Sequence, residues 1–290
     1  MSPTRPQDLV FTLFGEYLLH RRGPVWVGSL ISLLEAFDLS EGAVRTVLSR
    51  MARKEWLFTT RQGRLSFYDL TPRGRRLLEE GAERIHHPPW DRPWNGRWLL
   101  VAYSIPERRR ADRDRLRDRL AWLGFGSLGN GLWISPHDVE EEVSAVADAL
   151  GIGHQVQVFR ADRLPEGGDP ADLVTRCWDL ASINARYETF ISRWVPAHQR
   201  CRAEAVSPRE SYALRFRLIH EYREFPLLDP YLPRELQPRD WGGECASHLF
   251  KTLHDLLVGP ADAHVDTVLA DAPTPAPLRA RRATGAVETS

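Results

Sequence analysis

Apolar residues recur every three or four positions at Leu9, Val10, Leu13, Phe14, Tyr17 and Leu18, which predicts an amphipathic helix ended by Gly23-Pro24. Val27, Leu30, Ile31, Leu34 and Phe37 predict a second helix. Ser40 is then a natural N-cap, and Glu41 sets a negative charge in the first turn of a third. In that helix Val44, Val47, Leu48 and Met51 share one face, and Arg45, Thr46, Ser49, Arg50 and Arg53 share the other. Two strand-like runs follow, residues 56–60 and 65–70, joined by a turn over Arg61-Gln-Gly-Arg64. Thr71-Pro72 opens a fourth helix, with threonine as cap and proline at the first helical position.

Further along, residues 97–105 read as a buried strand and 107–123 as a helix with a narrow stripe of Leu116, Leu120 and Leu123. Residues 125–128 and 132–135 flank Gly129-Asn-Gly131, a hairpin signal. A helix over 138–150 and a strand over 155–160 complete the order βαββαβ, that of a ferredoxin-like plait. The remainder predicts helices over 171–181, 183–195 (stopped by Pro196), 208–224 and 244–258, with an irregular proline-rich stretch at 226–238. The fold class is therefore a multidomain α+β chain. Its expected parts are a winged helix-turn-helix domain over 1–90, the βαββαβ domain over 91–167 and an all-α domain over 168–270. Proline-rich or glycine-rich breaks at 86–93 and 165–170 mark the boundaries, and a tail over 271–290 lacks the apolar content to order itself.

Charge sharpens this picture. The 290 residues carry 39 Lys+Arg and 39 Asp+Glu, so a uniformly basic nucleic-acid coat is excluded. The net charge is nevertheless +3 over residues 1–90, zero over 91–165 and −3 over the rest. The excess is concentrated in 45–64, where six basic residues face one acid, Glu55. No apolar run approaches the roughly 20 residues of a membrane span, and the first residues do not resemble a signal peptide, so a cytoplasmic location is expected. Cys177, Cys201 and Cys245 are too widely spaced for a zinc ribbon or a disulfide framework, and neither metal nor cofactor is expected.

A short turn between two helices, then a helix with an apolar inside and an Arg/Thr/Ser outside, is the layout that enters the major groove of DNA. Arg45, Thr46, Ser49, Arg50 and Arg53 are the candidate groove residues, and Arg61 and Arg64 at the hairpin tip are candidates for phosphate or minor-groove contact. The arginine run from Arg108 to Arg119 is a weaker candidate, because Asp112, Asp114 and Asp118 are interspersed with it. Gly124-Phe-Gly-Ser-Leu-Gly129 matches a dinucleotide-binding fingerprint as text, but it leaves a helix and enters a hairpin, whereas the fingerprint leaves a strand and opens a helix. His198 and Cys201 have no second metal pair, and no catalytic motif emerges.

Three tracts carry a resemblance: Leu39 to Met51 (LSEGAVRTVLSRM), Arg97 to Glu107 (RWLLVAYSIPE), and Phe216 to Pro230 (FRLIHEYREFPLLDP) followed by Leu232-Pro and Asp240-Trp241. On these the chain resembles the PaaX family of bacterial transcriptional repressors over about residues 8–260. The resemblance implies a winged helix, a central domain similar to the CRISPR-associated Cas2 plait and a helical C-terminal domain. It also implies a homodimer on operator DNA, released by an aryl-coenzyme A thioester such as phenylacetyl-CoA, and no membrane partner. An effector of that kind needs an apolar slot and cationic donors. Tyr187, Trp194, Arg215, His220, Arg223 and Trp241 are the candidates, the alternative for the arginines being ion pairs with Glu188, Glu221 and Glu224. The Cas2 likeness raises a metal-dependent nuclease as a second reading, and a winged-helix scaffold without a ligand is a third. In Cas2 proteins an aspartate ends the first strand. Here that place reads Tyr103-Ser104, a hydroxyl where a hard cation needs a carboxylate, so enzymatic activity is not expected.

Overall fold

The structure, a computed structural model, describes residues 5–87, 93–162 and 169–273. The expected breaks therefore lie partly, and the expected tail from residue 274 wholly, outside the described residues. The chain forms two compact units, one running to Glu79 and resuming at Ala261, the other spanning Glu80–Pro260.

In the first unit, α1 (Pro6–Leu13) runs on as a π-helical turn over Phe14–Leu18 and is followed by β1 (Val25–Trp26), α2 (Val27–Glu35) and α3 (Glu41–Arg53). The hairpin β2 (Leu57–Gln62) and β3 (Leu65–Leu70) comes next, then α4 (Pro72–His86). α1 and α2 both pack on α3, whose inward residues Val44, Leu48 and Met51 are fully buried. The Ser40 hydroxyl accepts from the Ala43 amide at 3.3 Å, the predicted cap. β1, too short to show a sequence period, pairs with β3 and gives an antiparallel sheet of order β1-β3-β2. Thr71 caps α4, its hydroxyl accepting from the Gly74 amide at 3.0 Å and donating to the Glu55 carbonyl at 2.6 Å. Gly74 is required here, since a Cβ would stand 2.1 Å from the Trp56 carbonyl oxygen.

In the second unit, β4 (Arg97–Tyr103), α5 (Arg110–Trp122), β5 (Gly126–Gly129), β6 (Leu132–Ser135), α6 (Glu140–Ala149) and β7 (Val156–Asp162) appear in the expected βαββαβ order. The sheet is antiparallel throughout, in the order β5-β6-β4-β7, so the first and third strands are central. Period-two alternation sends Leu99 and Val101 of β4 to one face, where they pack with Leu116 and Leu120 of α5 and Val143 of α6. Trp98 faces the other way, into a cluster with Ile134, Val174, Leu180, Leu232 and Leu236. Asn130 and Gly131 both take positive φ in the β5–β6 turn, as a two-residue hairpin requires. Gly124 ends α5 with φ +88°, and Gly126 lies against Cys177 and Trp178, so the fingerprint-like glycines serve a helix end and a close contact.

Among the described residues α7 (Pro170–Cys177), α8 (Leu180–Ala203), α9 (Pro208–Tyr222), the short α10 (Phe225–Leu228), a 3-10 turn over Arg234–Leu236 and α11 (Gly243–Ala270) follow. Two predicted ends are corrected. α8 does not stop at Pro196 but continues to Ala203, because Trp194 before the proline and Ala197 and Cys201 after it pack on one core. Pro196 itself is exposed, so the carbonyl it leaves without an intrahelical donor can face water. α11 passes through Pro260 to Ala270, because Leu253, Leu257, Ala261 and Val265 repeat every four residues and are all buried. The boundary between the first two of these helices also shifts: α7 ends at Cys177, and Asp179 caps α8 by accepting from the Ser182 amide at 3.1 Å.

Candidate nucleic-acid interface

α3 has 13 residues, about 20 Å of helix, and its two faces are sharply divided. Arg45, Thr46, Ser49, Arg50 and Arg53 are all exposed, opposite the buried Val44, Val47, Leu48 and Met51. Arg45 donates to Glu41 one turn earlier at 2.8 Å, and Thr46 donates to the Gly42 carbonyl at 2.8 Å, which fixes both side chains along the helix. Arg50 and Arg53 form no ion pair among the described residues and stand in the last turn, where cations favour the helix dipole. The β2–β3 hairpin turns at Gly63, with φ +59°, and carries Arg61 and Arg64 exposed at its tip, also without an ion pair among the described residues. The structure thus brings all seven predicted residues to the surface of one unit, five on a single helix face and two on the adjoining hairpin.

Two further cations were not singled out from the sequence. A shallow groove of about 590 Å³ runs between the end of α3, β2 and the start of α4, lined by Glu55, Phe58, Thr59, Arg73 and Arg76 among others. Arg73 and Arg76 are exposed. The signal was present as a basic run after Thr71-Pro72, but only the packing of α4 on Trp56 brings it beside α3.

The arginine-rich α5 is different. Arg109 pairs with Asp112 at 2.8 Å, Arg113 with Glu107 at 2.9 Å, Arg115 with Asp112 at 3.6 Å, and Arg110 with both Glu107 and Asp114. Four of the seven arginines between Arg108 and Arg119 thus meet acids of the same segment, in line with the expected salt-bridged face. Ser104 directly follows β4, exposed, with no carboxylate in its place.

The six candidate effector residues do not form one cluster. Tyr187 is fully buried, stacks on Phe225 at 4.1 Å and donates to the Asp229 carboxylate at 2.6 Å. Trp241, half-buried, meets the Tyr187 ring edge-on at 5.5 Å. Trp194 is buried and donates to Glu221 at 2.9 Å. Arg215, also buried, reaches His254 at 3.0 Å. His220 and Arg223 are half-buried near the end of α9, His220 stacked on Phe216. Tyr187 and Trp194 belong to the inward stripe of α8 with Phe190, so their helical spacing served the core. Neighbouring arginines take the ion-pair alternative, Arg186 with Glu224 at 3.5 Å and Arg193 with Glu221 at 3.2 Å.

A buried carboxylate, Asp229, escaped the sequence reading because its tract looked merely irregular. Burial pushes its carboxyl up to about 6, while hydrogen bonds from Tyr187 and the Tyr231 amide and the charge of Arg84 pull the other way. Arg84 itself lies 3.9 Å over the Trp122 ring and donates to the Trp122 carbonyl, tying the end of α4 to the end of α5.

Comparison with known proteins agrees with this architecture. Three family models match in succession: PaaX-like protein over residues 5–74, PaaX protein central Cas2-like domain over 91–174, and PaaX-like protein C-terminal domain over 178–267. The chain is 34% identical to the transcriptional repressor PaaX of Escherichia coli (strain K12), over 97% of this chain and 90% of that protein. Among solved structures it is similar to the uncharacterised protein Rv0674 of Mycobacterium tuberculosis, with a TM-score of 0.56, 25% identity and coverage of 91% of this chain and 98% of that one. With its three segments matched in order and its likeness to that repressor running nearly end to end, the chain belongs to the PaaX family of transcriptional repressors.

Proposed function

We propose that the chain represses transcription by binding operator DNA through a winged helix formed by its first unit. The observation that carries this reading is the division of α3 into a buried apolar face and an exposed face of Arg45, Thr46, Ser49, Arg50 and Arg53. A helix of this kind fits the major groove, where arginine makes paired hydrogen bonds to guanine. Arg61 and Arg64 take phosphate or minor-groove contacts beside it. The repressor acts in the cytoplasm as a homodimer, because one such helix reads few bases and two related by symmetry read two half-sites.

The effector in this proposal is an aryl-coenzyme A thioester, with phenylacetyl-CoA the first compound to test, bound by the helical C-terminal domain. Of the six candidates, the half-buried Trp241, His220 and Arg223 are the ones a ligand can reach, whereas Tyr187, Trp194 and Arg215 are buried in packing. The test is fluorescence anisotropy of the full chain with a fragment of the promoter upstream of its own gene, with and without phenylacetyl-CoA. Salt-dependent binding of that fragment, weakened about 5- to 150-fold by the thioester, is expected. Binding no stronger than to unrelated DNA overturns the operator reading, and binding indifferent to the thioester overturns the effector.

A further inference from the structure

Two helices carry the chain across the boundary between its compact units: α4 between Glu79 and Glu80, and α11 between Pro260 and Ala261. Each helix is anchored on both sides of its crossing, by different partners. In α4, the first-unit anchors are Arg75, which donates to the Leu19 carbonyl, and Gly74, pressed on the Trp56 carbonyl. The second-unit anchors are Arg84 on Trp122 and Ile85 on the helical core. In α11, Leu253 and Leu257 are buried in the second unit's helical core. Beyond the crossing, Ala261 and Val265 are fully buried, Asp262 and Asp266 pair with Arg21, and the Val268 carbonyl accepts from Ser29.

Between its anchors each helix has a glycine that packing does not demand. A Cβ on Gly81 or on Gly259 would meet nothing within 4 Å, in contrast to Gly74. Glycine inside a helix weakens it relative to alanine, so these two positions forgo rigidity with no steric gain. Pro260 adds to this at the second crossing, because it has no N–H to give to the Leu256 carbonyl. Glycine and proline are where helices bend, and hinges are short stretches of this kind between rigid bodies.

We propose that Gly81 and Gly259-Pro260 form a paired hinge about which the unit carrying α3 reorients relative to the unit carrying the sheet and the helical core. The use of this hinge to couple effector binding to DNA release rests on the function proposed above.

The test uses the full chain with Cys177→Ser, Cys201→Ser and Ser32→Cys, spin-labelled at position 32 in the first unit and at the exposed Cys245 in the second. The interspin distance distribution is measured with the natural hinge and with Gly81→Ala, Gly259→Ala and Pro260→Ala combined. These changes raise helix propensity, and a Cβ at either glycine meets open space, so the variant is expected to fold. A natural distribution broader than the variant's by roughly twofold is expected for hinge motion. Equal widths overturn the hinge. In parallel, phenylacetyl-CoA is titrated against each protein bound to the promoter fragment. Release of the natural protein with several-fold weaker release of the stiffened one supports the coupling role, and equal release overturns it. Failure of the thioester to release the natural protein overturns the effector reading, while the distance measurement still decides the hinge.

Discussion

α3 and α5 are both 13-residue helices rich in exposed arginine, yet their charges are arranged differently. On α5 the acids Asp112 and Asp114, with Glu107 just before, lie within reach of Arg109, Arg110, Arg113 and Arg115. On α3 Glu41 pairs with Arg45, and among the described residues Arg50 and Arg53 form no ion pair and can meet an external anion. The helices also differ beneath the surface. α3 buries Val44, Val47, Leu48 and Met51, whereas α5 buries only Leu116 and Leu120. A count of cations would rank α5 first as a nucleic-acid surface. A cationic face interrupted by a single acid at its start, Glu41, on a helix held firmly from behind, ranks α3 first.

The largest expected effect tests the firm backing. Leu48→Ala removes a fully buried side chain and should lower stability by about 2–5 kcal/mol in chemical denaturation. A loss under about 1 kcal/mol would mean that α3 is not locked in place by its apolar face. Next, Arg50→Ala should weaken binding to the promoter fragment by about 1–3 kcal/mol at fixed salt, with the midpoint of unfolding unchanged. Unchanged affinity would break the comparison at its centre. On the hairpin, Arg61→Ala and Arg64→Ala should each reduce the slope of log affinity against log salt by about one, for specific and unrelated DNA alike. An unaltered slope would remove the hairpin from the interface. The smallest effect belongs to α5: Arg110→Ala and Arg115→Ala should leave DNA affinity unchanged and alter stability by less than about 1 kcal/mol, as for exposed ion pairs generally. A loss of affinity equal to that of Arg50→Ala would erase the distinction between the two helices.

The proposed interface was more legible in the sequence than the proposed effector site, for a physical reason. A groove-binding helix face is local. Its members lie within about three turns, their exposure follows from the 3.6-residue period, and the Ser40 cap marks the start. The effector candidates came from aromatic residues at helical spacing, a pattern shared by any helix that packs on others. Tyr187 and Trp194 show the ambiguity: their spacing is real, and it points into the core. Arg73 and Arg76 fall between these cases, conspicuous as a basic run but placed beside α3 only by tertiary contact.

By itself the sequence determined the elements whose signals are short in range: α3 with its cap and two faces, the β2–β3 hairpin with Gly63, the βαββαβ order with its Asn130-Gly131 turn, and the interspersed acids of α5. Tertiary structure decided what depends on partners far along the chain. It added β1, which exists only by pairing with β3, and carried α8 through Pro196 and α11 through Pro260. It also buried Asp229 beside Tyr187, 42 residues away in sequence. Proline has an unfavourable local preference in a helix. Where side chains on both sides of it pack into a core, burial outweighs that preference, and no local pattern reports the balance.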